Sequence, residues 1–235
     1  MKKIFLFGLM LGAMTLGLTS CNDDNDQLTD TRVTNYIQLS INGDDVVYVD
    51  ANSTYTDAGC KAELAGEDVS DMVKVYNPVN TSMIGPYEIV YEAVNADGFA
   101  ASAYRTVYVG TAVTGTVANG TYRQTYNDDG SSKAKTAYSG YNIDVLTDGN
   151  GAYWVSDLMG GYYEQRQGYG EAYSMKGYLK VNDDNTVSFA GGGDVVGWGD
   201  ALDDFLNGKY DPATKTLSYT VVYAGMDFNV ILNLQ

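Results

Sequence analysis

Gly85-Pro86-Tyr87-Glu88-Ile89-Val90-Tyr91-Glu92-Ala93 is the stretch that decides the fold class of this chain. Tyr87, Ile89, Tyr91 and Ala93 fall on one side of a period-two pattern, while Glu88, Val90 and Glu92 fall on the other, as in a half-buried strand. Gly85-Pro86 supplies the turn before it, and Asp97-Gly98 the turn after it. Outward from this stretch the same texture repeats. Residues 36–39, 46–49, 73–76 and 103–109 are rich in β-branched and aromatic side chains. Asn42-Gly43-Asp44-Asp45 and Asp57-Ala58-Gly59 punctuate them as turn formers. Short strands at this density predict a small β-sandwich over residues 33–110.

Three quoted runs carry a resemblance within that module. Tyr55-Thr56-Asp57-Ala58-Gly59, the stretch 85–93 and Arg105-Thr106-Val107-Tyr108-Val109 together resemble the bacterial immunoglobulin-like domain also found in a pesticidal crystal protein. Ala58 departs from the family's proline, Cys60 from its usual small residue, and Asn95-Ala96-Asp97-Gly98-Phe99 from its aspartate-glycine-asparagine loop. The resemblance implies a spacer or docking module and brings no catalytic residue with it. Cys60 reads as a buried, inert thiol.

Residues 111–119 hold Thr, Val, Ala and Gly without an acidic residue and read as a linker. Beyond them, residues 120–235 alternate again, with strand patterns at 121–126, 138–146, 152–155, 173–181, 186–189, 217–223 and 227–234. Asn127-Asp128-Asp129-Gly130, Asn182-Asp183-Asp184-Asn185 and Asp211-Pro212-Ala213-Thr214-Lys215 separate strand patterns as hairpin loops do. Helical spacing occurs once, where Leu202, Phe205 and Leu206 share a face between Asp200 and Leu206. The expected class is therefore all-β: an Ig-like sandwich, then a tyrosine-rich antiparallel sandwich or small meandering barrel.

At the N-terminus, Lys2 and Lys3 precede an apolar run from Ile4 to Leu18, and Leu18-Thr19-Ser20-Cys21 follows. The run is too short for a comfortable membrane span, which takes roughly 20 residues. Residues 1–20 thus read as a cleaved signal peptide. The four residues ending in Cys21 resemble the lipobox of bacterial lipoproteins, which implies acylation of the Cys21 thiol. Several acyl chains anchor firmly where a single one is marginal. Asn22-Asp23-Asp24-Asn25-Asp26 opens a polar tether over 21–32. An acidic cluster behind the lipidated cysteine resembles the export signal of Bacteroidetes lipoproteins bound for the outer face of the outer membrane. A plain spacer is the other reading.

Composition narrows the chemistry. The formal charge of −16, still more negative once Lys2 and Lys3 leave with the leader, repels phosphate backbones and argues against nucleic acid. The chain has no histidine, which excludes Ser-His-Asp and Cys-His sites and histidine-ligated zinc. With Cys21 acylated, only Cys60 remains, so no intrachain disulfide forms.

Candidate binding residues concentrate where aromatic rings interleave with glycine. Tyr153, Trp154, Tyr162, Tyr163, Tyr169 and Tyr173 lie in one such segment, with Trp198 beyond Gly191-Gly192-Gly193. Aromatic faces with polar tips stack on sugar rings or grip peptide side chains at low entropy cost. The competing reading is that these rings fill a β-core or decorate a long hairpin. The three glycines read either as a loop that moves over a ligand or as a slack connection. The Asp and Asn runs lack calcium-loop spacing and read as turns, so neither metal nor cofactor is expected. Carboxylate catalysis would need a pair such as Glu164 or Glu171 with Asp157 or Asp194. Nothing in the sequence sets their separation, and the chain is read as a non-enzyme.

The two modules behind a lipobox resemble two-domain Bacteroidetes surface lipoproteins of uncharacterised function, a group that implies association with SusC/SusD-type outer-membrane uptake systems. The expected function is a surface-exposed, outer-membrane lipoprotein that binds a glycan or peptide nutrient or docks on a SusC/SusD-type complex. A structural or adhesive envelope protein is the alternative, and a carboxylate-dependent glycoside hydrolase a further one.

Overall fold

The computed structural model of the protein describes residues 33–124 and 136–235. The expected signal peptide, Cys21, the expected tether 21–32 and the expected hairpin loop at 127–130 lie outside the described residues. Residues 36–235 form one compact unit.

The first module contains β1 (Gln38–Ile41), β2 (Val46–Val49), β3 (Cys60–Leu64), β4 (Glu67–Asp68), β5 (Lys74–Tyr76), β6 (Gly85–Val94) and β7 (Ala100–Val109). One sheet runs β1-β3-β4 and the other β2-β7-β6-β5, with β2 and β7 parallel. The period-two pattern of 87–93 is realised in β6: Ile89, Tyr91 and Ala93 are buried, while Glu88 and Glu92 face solvent. Ile89 and Tyr91 pack with Val107 and Val109 of β7 as the centre of the sandwich. Asn95 closes the β6–β7 hairpin, its side-chain oxygen accepting the N–H of Asp97 and of Phe99.

A buried polar network explains why the quoted motif residues stand where they do. Arg105 is 1 % exposed and pairs with Asp57. The same carboxylate accepts the Tyr91 hydroxyl at 2.8 Å, the Tyr55 hydroxyl at 3.1 Å and the Gly59 N–H at 2.9 Å. Arg105 spends its other donors on the carbonyls of Asp44 and Asn42. A buried guanidinium is tolerable only with this degree of satisfaction. Burial alone would raise the Asp57 carboxyl. The hydrogen bonds from Tyr91, Gly59 and Tyr55, with the Arg105 charge, outweigh it and hold the group below the ordinary carboxylate range.

The second module contains β8 (Thr111–Gln124), β9 (Thr136–Tyr138), β10 (Asn142–Thr147), β11 (Ala152–Val155), β12 (Gly177–Val181), β13 (Val187–Gly192), β14 (Asp194–Val195), β15 (Asp200–Ala201), β16 (Asp204–Asp211), β17 (Thr216–Tyr223) and β18 (Met226–Leu234). Its main sheet runs β13-β12-β11-β10-β8-β18-β17-β16, with β9 also on β8. The sheet curls until its edges nearly meet. Thr186 bridges Lys209, and the Tyr210 N–H reaches the Asn185 carbonyl at 2.9 Å. Of the two expected architectures, the structure has the barrel-like one. Val117, Ile143, Val145, Val155, Leu217, Val221, Phe228 and Leu232 fill its interior.

Two expectations are overturned. Residues 111–119 are not a linker but the first part of β8, paired with β10 on one side and with β18 on the other. Only Gly110 separates β7 from β8. Residues 200–206 are not helical: Asp200–Ala201 pairs with β14, and Phe205 and Leu206 belong to β16. The register of β16 shifts between Leu206 and Lys209. The helix-like spacing arises because Leu202 lies in the link between β15 and β16 and packs on the core with Phe205, whereas Leu206 is 43 % exposed and shares no face with them.

The modules share a small core. Leu146, Trp154 and Tyr178 stand side by side across β10, β11 and β12 and pack on Ile84, Ala51 and Tyr108 of the first module. At Leu146 and Trp154 the outer face of β10 and β11 is thereby buried, with Val145 and Val155 turned into the barrel.

Candidate functional site

The most concentrated aromatic surface forms where three segments of the second module converge. The first follows Gly160-Gly161, where Gly161 adopts a left-handed conformation and a single π-turn spans Tyr162–Arg166. Such wide turns often mark functional positions, because they redirect successive side chains. Here Tyr162 goes inward, 6 % exposed, against Phe228 and Tyr138. Tyr163 is half-buried at the rim of the core and meets Trp198 edge-on at 4.8 Å between ring centres.

The second segment is the short 3-10 helix Glu171–Tyr173. The third is the tip of the β14–β15 hairpin, where the N–H groups of Trp198 and Gly199 both point at the Val195 carbonyl. A backbone bond ties the last two, Gly197 N–H to the Ala172 carbonyl at 2.7 Å. Gly197 is required there: a Cβ would come within 2.6 Å of the Tyr173 ring.

The result is an open depression of about 410 Å³ walled by Tyr169, Tyr173 and Trp198. Tyr173 and Trp198 meet at 4.7 Å, and Tyr169 stacks on Tyr163 at 6.0 Å. Tyr169 is 53 % exposed and Trp198 43 %, so both offer ring surface to solvent. Tyr223 backs Trp198 in a stacked arrangement and anchors its own hydroxyl on Asp200 at 2.6 Å. Burial, then the Asp200 charge, pushes the Tyr223 hydroxyl far above its ordinary range, so it stays neutral and keeps donating.

The structure thus gathers Tyr163, Tyr169, Tyr173 and Trp198 from the sequence candidates and separates the other three. Tyr162 belongs to the core. Trp154 is 6 % exposed in the contact between modules. Tyr153 is half-buried near Tyr210 and does not line the depression. Tyr223 carried no signal, since its strand context alone accounts for it. The glycines 191–193 are no slack loop. Gly191 and Gly192 pair with Tyr178 and Gly177, and the Gly193 N–H donates to the Lys176 carbonyl at 2.7 Å.

The carboxylates take different roles. Asp157 is fully buried and accepts the N–H groups of Met159, Gly161 and Met175, which fixes the start of the aromatic segment. Burial raises its carboxyl to about 7 against those three donors. Glu164 and Glu171 line a groove between the modules, and Asp194 lies in its continuation. Cys60 is half-buried against the first module's core, its thiol pushed up by burial. Among the described residues no group of three or more His, Cys, Asp or Glu is placed to hold a metal ion. Among them, too, no helix is long and apolar enough to cross a membrane.

Residues 39–109 match the profile of the Ig-like domain of bacterial surface proteins, and residues 111–234 match that of a C-terminal domain family. Over 84 % of this chain and 100 % of the other, the structure aligns with the crystal structure of the lipoprotein BT2262 from Bacteroides thetaiotaomicron at 36 % identity and a TM-score of 0.55. The chain belongs to the BT2262 family. Neither profile describes an enzyme. A solved structure from Clostridium perfringens ZmpB, CBM51-2 in complex with GlcNAc together with INT domains, aligns over 56 % of this chain and 34 % of the other. Its identity is 13 % and its TM-score 0.27, too low to bear on fold or ligand. No curated protein matches the chain.

Proposed function

We propose that this member of the BT2262 family is a non-catalytic lipoprotein of the outer-membrane surface that captures a glycan on Tyr169, Tyr173 and Trp198. One observation carries the reading: three rings, two of them about half exposed, wall an open depression at a hairpin tip. Stacking a ring face on a sugar needs such fixed, solvent-facing aromatics, and their rigidity keeps the entropy cost low. The net charge of −16 favours neutral over anionic sugars. Kinship with a Bacteroides lipoprotein and the sequence around Cys21 support the anchor.

Isothermal titration against a panel of neutral oligosaccharides tests the site. Trp198→Ala is expected to weaken the best ligand roughly 30-fold, about 2 kcal/mol, as for a central aromatic contact. Equal binding by the variant, or no binding across the panel, ends the proposal. Palmitate incorporation lost in Cys21→Ser tests the anchor. Co-purification tests delivery to a SusC/SusD-type complex, the partner that the sequence resemblance implies.

A further inference from the structure

We infer that the groove between the two modules is a second binding site, for a peptide segment bearing lysine or arginine side chains. It is separate from the aromatic depression and does not rest on the glycan reading. The groove encloses about 650 Å³, with Glu88 and Tyr108 of the first module facing Asp144, Glu164 and Trp154 of the second. It continues into a depression of about 520 Å³ that shares Trp154, Glu171 and Lys176 and adds Asp194. Volumes of this size suit a compact ligand or a few residues of an extended chain.

Charge selects the occupant. Lys176, the cation lining both parts, pairs with Glu171 at 2.5 Å in a solvent-exposed contact and is one positive charge among these carboxylates. Glu88, Asp144, Glu164 and Asp194 have no cationic side chain in ion-pair contact among the described residues. Their mutual effect is visible at Glu164, whose carboxyl is raised first by burial and then by the charges of Glu171 and Asp144, with Lys176 opposing. A ligand cation relieves that repulsion, whereas a neutral sugar leaves it and an anionic one adds to it.

The second observation is Trp154. It lines both parts of the groove, is 6 % exposed, and its indole N–H has no acceptor among the described residues. That N–H is not sealed from solvent, so it is available to donate to a ligand in the groove. A bare metal ion or a simple amine cannot accept a hydrogen bond. A peptide can, through its backbone carbonyls, while its ammonium or guanidinium groups reach the carboxylates and the Trp154 ring face.

The test uses the fact that the chain has two tryptophans, Trp154 and Trp198. In Trp198→Phe, Trp154 alone reports. Trilysine is expected to shift its emission saturably, with affinity that weakens as salt is raised, and trialanine to leave it unchanged. Adding Glu88→Gln and Glu164→Gln should lower trilysine affinity at least about tenfold, with an unaltered thermal midpoint confirming the fold. No saturable trilysine response, an equal trialanine response, or undiminished affinity in the glutamine variant overturns the proposal. Trp198→Phe also weakens any sugar bound in the aromatic depression, so the two sites fail independently.

Discussion

The two modules reach a folded state by opposite means. The first has a small apolar centre and places an ion pair, Arg105 with Asp57, inside it, surrounded by Tyr55, Tyr91 and Gly59. The second has a much larger apolar interior, and its one fully buried carboxylate, Asp157, has backbone N–H groups as its hydrogen-bond partners among the described residues. The contrast shows that a buried charge can be held by another charge or by main-chain dipoles. Only the first arrangement leaves a motif in the sequence, because side chains at set positions must supply it.

The comparison breaks most visibly at Arg105. Arg105→Met strands Asp57 in the sandwich and should cost roughly 3–5 kcal/mol, read as a lowered urea midpoint by circular dichroism. Replacing both partners, Asp57→Leu with Arg105→Met, should cost less than Arg105→Met alone. A loss below about 1 kcal/mol in the single variant would show that the ion pair is incidental.

Titration sharpens the contrast, since the two carboxylates respond to pH in opposite directions. Asp57 is held below its ordinary range, so its contribution is present above the unfolded value and fades as pH falls through the folded one. Asp157 is raised to about 7 from an ordinary 3.8, so its folded form favours the proton. Stability tied to it is highest below the unfolded value and declines as pH rises from about 4 to about 7. At about 1.4 kcal/mol per pKa unit, the decline is at most on the order of 4 kcal/mol. Asp157→Asn should abolish that slope, measured as tryptophan-detected urea midpoints at pH 4.5 and 7.5. An unchanged slope would mean that the three N–H donors already keep the carboxylate ionised across the range.

The smallest effect concerns Cys60. Its thiol is pushed up by burial, against an opposing backbone hydrogen bond from Ser40. A disulfide reagent at pH 8 should modify it about tenfold more slowly than free cysteine. Modification at the free rate would show that the first module's core opens locally.

These contrasts also explain how far the sequence could be read. Stretch 85–93 gave its strand because alternation survives intact where one face is wet. The network residues were recognisable as a pattern, although nothing short of coordinates joins Asn42 and Asp44 to Arg105. β8 misled because a central strand flanked on both sides must be lean: a Cβ on Gly115 or Gly120 would collide with Val145 or with the Tyr138 ring. Such a strand looks like a linker when only composition is weighed. The aromatic site was half legible. Composition flags Tyr163, Tyr169 and Tyr173, but periodicity does not separate the buried Tyr162 from the half-buried Tyr163, since both lie within one π-turn. Trp154, singled out as one ring among several, gained its role in the groove only from the packing of the other module.

The pairing of β18 with β8 joins the last strand of the chain to the first strand of its module, at the middle of the sheet and not at its rim. Few contacts in the barrel span more sequence. Completion of that seam must therefore wait for the C-terminal residues, and high contact order makes the step slow. Trimming residues 226–234 would not shorten an edge but split the sheet in two, so β18 is as indispensable to the architecture as any other interior strand.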